Sequence, residues 1–156
     1  MSVEQPHGAD RLDLHRETIE NQLHVGPLRF PDDWTMSGSW HRAQAAPATC
    51  GPVNASEFYV LIGYTDSDEL GDRHRVTFAI HHGQLVADCD CEAWTWNDWC
   101  AHVAYLWWEW SRDQLGVTDV DTGHVYTTPP VWLRVNEPDR PVASTSRART
   151  DGGAQR

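Results

Sequence analysis

Apolar and polar residues alternate most regularly in the middle of the chain. In SEFYVLIGYT, Phe58, Val60, Ile62 and Tyr64 fall on one face at period two, the signature of a half-buried strand. The polar loop TDSDELGD follows. In RHRVTFAI, Val76, Phe78 and Ile80 form a second alternating face, with Arg75 and Thr77 opposite. His81-His82-Gly83-Gln84 reads as a turn centred on glycine, and LVADC as a third strand. Three strands in succession predict an antiparallel meander.

From Cys100 the period changes. Val103, Leu106, Trp107 and Trp110 follow i, i+3, i+4, i+7 spacing, the stripe of an amphipathic helix. Asn97 or Asp98 is the expected N-cap and Gly116 the expected C-cap, with Arg112 near the negative end of the dipole. Elsewhere the pattern is weaker. Asp10 to Leu23 reads as a short helix with Leu12, Ile19 and Leu23 as sparse apolar positions. Pro27 and Pro31 break regularity. Ser37 to Ala46 reads as a short strand or turn, Pro47 to Ala55 as a loop, and VWLRV (Val131 to Val135) as a late strand. From Pro138 onward the Pro, Ser, Thr, Arg and Gly content predicts a disordered tail.

The fold class expected is therefore α+β: a small antiparallel meander leading into one packed helix. Residues 1–30 read as an N-terminal polar segment, 31–137 as the folded domain with its core at 76–116, and 138–156 as the tail. A length of 156 residues and a hydrophobic content of 40% suit one domain with a modest core.

Composition adds a charge anomaly. The net charge is −11, and all 12 basic residues are arginine. A GC-rich genome and adaptation to high internal salt both account for it, and the sequence favours neither. Residues 1–133 carry 20 acids and 7 arginines, whereas 134–156 carry 5 arginines and 3 acids, so a mildly basic tail follows an acidic body. No apolar run is long enough to span a membrane, and the polar, acidic N-terminus has no secretory h-region, so a cytoplasmic location is expected.

The chemistry concentrates between Ala87 and Trp110, which hold three of the four cysteines and six of the nine tryptophans. Cys89-Asp90-Cys91, eight residues and Cys100-Ala101-His102 put three thiols and one imidazole into 14 residues. In an extended strand, residues i and i+2 share a side, so Cys89 and Cys91 can form a clamp. In a helix they point about 200° apart, so Cys100 is expected just before the helix and His102 in its first turn. Three soft thiolates and an imidazole select tetrahedral Zn2+. Four protein ligands leave no place for water, which makes such an ion structural. A dication against three thiolates leaves about one negative charge, which a helix N-terminus partly offsets. Buried core thiols with a solvated histidine, or a redox pair, are the other readings. A Cys89–Cys91 disulfide is disfavoured by strain at that spacing.

This pattern resembles the SWIM zinc finger: Cys-x-Cys, a spacer and Cys-x-His in a strand–strand–helix context, matched over roughly Phe58 to Gln114. The resemblance implies one zinc held by Cys89, Cys91, Cys100 and His102. It also implies a role in protein interaction or nucleic-acid binding, with DNA recombination, transposition or repair as settings. Two positions depart from the family pattern. Ala101 stands where a basic residue is common, which removes a phosphate contact, and Tyr105 stands where alanine is common, with Ala104 one position early.

The tryptophans divide. Trp107 and Trp110 share the apolar stripe and belong to the core. Trp108 lies off it. In an extended spacer, Trp94 and Trp96 flank Thr95 on opposite faces, so one is free to stack on a base or anchor a partner. Leu85 to Leu115 carries six acids and one arginine, too little positive charge for a phosphate backbone. Arg73 and Arg75, with His74, form the compact basic cluster of the body, read first as a solvated strand face. The tail arginines Arg140, Arg147, Arg149 and Arg156 are further candidates. A protein partner is thus expected, with DNA or RNA binding as the alternative and no small-molecule substrate. His81 and His82 have no Asp, Glu or Cys pattern around them, so a plain turn is expected there. Cys50 stands apart from the other cysteines. No nucleophile motif, phosphate loop or paired carboxylates appear, so no enzymatic activity is expected.

Overall fold

Alternation at period two builds the centre of the molecule. In the computed structural model, which describes residues 8–22 and 25–133, five antiparallel strands form one sheet in the order β1-β5-β4-β3-β2. These are β1 (Gly26–Pro27), β2 (Ala48–Pro52), β3 (Glu57–Ile62), β4 (Arg73–His81) and β5 (Gln84–Cys89). The meander runs β2 to β5, and β1 returns to pair with β5 at Gly26↔Ala87. Four helices accompany it: α1 (Gly8–Asn21), α2 (Gly38–Ala45), α3 (Glu92–Asn97) and α4 (Ala101–Ser111). A two-stranded ribbon, β6 (Val117–Thr118) with β7 (Val125–Tyr126), completes the α+β fold.

The apolar stripe of α4 buries Val103, Leu106, Trp107 and Trp110 against Val76, Phe78 and Ile80 of β4. Trp110 is fully buried, and its indole donates to the Tyr126 carbonyl at 2.8 Å, tying the helix to β7. The opposite face of β4 is covered too. Thr77, Ala79 and His81 are buried, and Ala79 packs with Ile19 of α1, Val86 and Val120. A central strand buried on both faces has no solvated side, so the alternation at Thr77 marks orientation and not exposure.

Several segments differ from expectation. Ser37 to Ala46 is helical: Ser37 caps α2 by accepting from the Trp40 N–H at 3.1 Å. Ser, rather than a turn signal, was the N-cap. Ala48–Pro52, read as loop, is an edge strand paired with β3 in the register Cys50↔Val60. It lacks a strong period because an edge strand needs only one neighbour. Tyr64 lies beyond β3 and is exposed, held under the Arg42 guanidinium at 4.2 Å. Arg42 also donates to the Gly63 carbonyl at 2.6 Å. Val131 to Leu133 form a turn instead of a strand. Helix α4 stops at Ser111, with Asp113 and not Gly116 taking the left-handed position. Gly116 instead packs against Val125. Segment 25–30 contributes β1 and the core residues Leu28 and Phe30. Leu23, residues 134–137 and the tail with its arginines lie outside the described residues. Among the described residues, no helix is long and apolar enough to cross a membrane.

Candidate metal centre

The centre forms where β5 ends and two helices begin. Cys89 is the last residue of β5, paired in register with Val76. Cys91 is the N-cap of α3, and its Sγ accepts from the Trp94 N–H at 3.5 Å. Cys100 is the N-cap of α4, and its Sγ accepts from the Val103 N–H at 3.5 Å. His102 is the second residue of α4. Thiol side chains thus occupy cap positions usually held by Ser, Thr, Asp or Asn. The expected caps Asn97 and Asp98 end α3 instead, with Asp98 in the left-handed region at φ 53.

The four ligand atoms lie within 4.8 Å of one another, and all four residues are buried. A tetrahedral zinc with bonds of 2.0–2.3 Å asks for edges of about 3.5 Å, a size that falls inside this limit. The cysteines are free of disulfides. His102 Nδ1 is buried with no hydrogen-bond partner, an uncompensated cost that a bound cation or its supporting shell removes. The residues present therefore fit a soft dication.

The thiols perturb one another. Hydrogen bonds from Cys100 and Cys89 hold the Cys91 thiol far below its ordinary range. The hydrogen bond with Cys100 raises Cys89, and burial pushes Cys100 up to about 12. One thiolate is stabilised by two neighbouring S–H groups, and two N-terminal helix turns add N–H groups aimed at sulfur.

The spacer is helical, not extended. Cys91 caps it, and Trp94 and Trp96 still face opposite ways, because residues two apart on a helix diverge by about 200°. Trp94 is buried, and its indole donates to Asp88 at 3.0 Å. Trp96 is 77% exposed. Trp99 is buried, and its indole donates to Ser37 Oγ at 3.1 Å, which joins the centre to α2. Phe30, Trp34 and Trp107 complete that aromatic cluster, with Phe30 5.3 Å from Trp99 and 5.0 Å from Trp107. Trp108 is half-buried, edge-on to Trp40 at 5.6 Å and beneath Arg112.

Arg73 and Arg75 are exposed but engaged. Arg75 pairs with Glu57 at 2.7 Å, and Arg73 lies over the Tyr59 ring at 4.7 Å. Between them, His74 bonds Asp90 at 2.6 Å, and its ring sits 4.3 Å from that of His102. Sequence spacing gave no hint of this pair, since only the β3–β4–β5 register brings His74 beside the Cys3His cluster. A cleft of about 320 Å³ opens there, bordered by Arg42, Asp72, His74, Cys91 and His102. Cys50 lies apart on β2, its thiol pushed up to about 11 by burial and by Glu109. No family model, curated protein or solved structure matches the chain, so the geometry of the Cys3His cluster carries the functional conclusion.

Proposed function

We propose that the protein is a SWIM-type zinc-binding module that serves as a non-enzymatic adaptor for a protein partner. The buried Cys3His cluster carries this reading. Four protein ligands complete a tetrahedral shell and leave no position for a reacting water, which makes the ion structural. Three reduced thiols suit a reducing, cytoplasmic compartment. The ion holds the start of α3, and α3 presents Trp96 to solvent beside it. A large, rigid, exposed aromatic on a metal-fixed helix is the kind of anchor that protein interfaces use. The SWIM resemblance supplies the setting: recombination, transposition or repair machinery.

Direct DNA or RNA binding through Trp96 and the tail arginines is the competing reading. Local charge weighs against it. Arg42, Arg73, Arg75 and Arg112 each have an intramolecular partner, and the finger is strongly acidic. Phosphate binding requires several free cations.

Elemental analysis after dialysis against metal-free buffer should return one tightly held zinc per chain. If Cys91→Ser keeps both native fold and metal, the centre is misassigned. Titration with single- and double-stranded DNA and with RNA should show no binding across a salt series. A steep salt slope would replace the adaptor with a nucleic-acid binder. Partners co-purified from the native cells should be lost with Trp96→Ala.

A further inference from the structure

A second ligand-type cluster sits at the far end of the β4–β5 hairpin. The sequence places no acid near His81 and His82, but the fold brings two. Glu20 of α1 reaches His81 Nε2 at 3.1 Å and His82 Nε2 at 3.8 Å. Asp121, from the β6–β7 loop, reaches His81 Nδ1 at 3.3 Å and His82 Nε2 at 4.0 Å. One ligand atom each from Glu20, His81 and His82 lies within 4.8 Å of the others. The two imidazole rings lie 3.8 Å apart, tilted by 31°.

We propose that Glu20, His81 and His82, supported by Asp121, bind a second divalent transition-metal ion. Three observations carry this. First, His81 is 8% exposed, and its Nε2 meets the Glu20 carboxylate at 3.1 Å, so a buried imidazole nitrogen and a carboxylate oxygen converge on one point. The groups around this buried ring are ligand types rather than apolar filling. Second, the arrangement matches a supported metal histidine. With Nε2 on the ion, Nδ1 carries the proton and faces Asp121, the carboxylate–histidine–metal pattern that fixes tautomer and ring. Asp121 is itself held, because its Oδ2 accepts from the His82 N–H at 2.8 Å. Third, the donor set is selective. Two imidazoles and a carboxylate suit zinc, nickel or copper and not the all-oxygen shells of magnesium or calcium.

Arg16 also faces this group, with its guanidinium 3.7 Å from Asp121 and a second contact to Asp13. That positive charge favours Asp121 as support over Asp121 as a direct ligand. Glu20 and His82 are at least half exposed, so three protein ligands leave a position open to solvent. The ion would join α1, the hairpin turn and the β6–β7 loop, segments 61 and 39 residues apart.

The test uses the full chain with its thiolate centre already loaded. Isothermal titration with Zn2+ should show one further equivalent. Co2+ at that equivalent should add only weak visible bands, without the near-ultraviolet thiolate charge transfer of the first centre. His82→Ala and Glu20→Gln change exposed side chains and should keep the circular dichroism of the parent. Each should weaken the second equivalent by about 10-fold or more, and Asp121→Asn by about 10- to 100-fold. In the unaltered protein, the ring-proton resonances of His81 and His82 should shift together on adding Zn2+. Saturation at one equivalent, unmoved histidine resonances, or a second equivalent unchanged in both variants would each overturn the proposal.

Discussion

The β4–β5 hairpin carries a ligand-type cluster at each end, and the two differ in almost every physical respect. Gln84 and Cys89 are five residues apart, so the clusters stand about 17 Å apart along one strand. The thiol end is buried, soft in donor type and drawn from one 14-residue stretch. The histidine end is partly exposed, holds imidazole and carboxylate donors, and is assembled from three segments between Glu20 and Asp121. A closed shell of four buried ligands is suited to hold a fold together. An open shell at the surface can exchange its ion while the fold stays intact. The proposals above assign those two roles, and each variant below separates the ends or collapses the distinction.

The largest difference concerns metal removal. Structural zinc in small fingers contributes apparent binding free energies of about 10–16 kcal/mol. Cys91→Ser and Cys100→Ser each remove a zinc ligand while leaving a hydroxyl that can cap the helix, so loss of the metal alone should unfold α3 and the start of α4. Thermal melts by circular dichroism should show the native transition lost or sharply lowered. His82→Ala should shift the same melt little. If Cys100→Ser melts as the parent does, the ends are equivalent and the contrast fails.

Acidification should separate them next. Without an ion, burial and the sulfur network keep Cys100 up at about 12 and Cys89 raised, while Cys91 is lowered. These shifts favour protonated Cys89 and Cys100 beside an ionised Cys91 in the metal-free centre. Binding through three thiolates releases about two protons, so zinc affinity should rise about 100-fold per pH unit. The metal-free fold follows the opposite sign. A thiol raised above the ordinary 9.0 contributes stability below pH 9, which is lost as pH climbs toward 12. Competition titrations with a calibrated chelator, one pH unit apart, measure the slope. The histidine end has no thiol to deprotonate, so its slope should be shallower.

The same contrast explains what was legible in the sequence. The thiol pairs were readable because strand and helix periods act within a few residues: Cys89 and Cys91 flank a strand end, and Cys100 and His102 open a helix. The meander and the α4 stripe were readable for the same reason. Helix α2 was missed because its eight residues carry little amphipathic signal, although Ser37 was a visible cap. Strand β2 was missed because its partner, and not its own pattern, defines it. The convergence of Glu20 and Asp121 on His81 depends on how α1 and the β6–β7 loop dock on the back of β4, contacts made by Ile19, Ala79 and Val120. No local period encodes that docking. The opposite faces of Trp94 and Trp96 were anticipated, although a helix and not a strand produces them.

Ser37 tests how far bracing of the thiol end extends. Its hydroxyl accepts from the Trp40 N–H and the Trp99 indole, both at 3.1 Å, and donates to the Trp34 carbonyl at 2.7 Å. Ser37→Ala removes a helix cap, about 1 kcal/mol, and leaves a buried indole N–H unpaired, about 1–3 kcal/mol. A net loss of about 2–4 kcal/mol is expected in denaturant unfolding, with zinc content unchanged. An unchanged midpoint would mean that the aromatic cluster does not brace Cys100 through Trp99.

The smallest effect compares two backbone positions. Asp98, beside the thiol end, and His82, at the other, hold φ 53 and φ 52, where glycine is favoured. His82 and Gly83 both have positive φ across the two-residue connection His81 to Gln84, as a type I′ turn requires, and Asn-Gly is the usual pair there. Replacing either residue by glycine relieves the left-handed backbone, a gain of about 0.5–1 kcal/mol. For Asp98→Gly the expected result is a slightly more stable protein with both metal equivalents retained. For His82→Gly the metal-free protein should gain similarly and lose the second equivalent. An imidazole kept where glycine fits better marks a side chain retained for its ligand atom. If His82→Gly instead destabilises the metal-free fold, the ring serves packing, and the two ends differ less than their chemistry indicates.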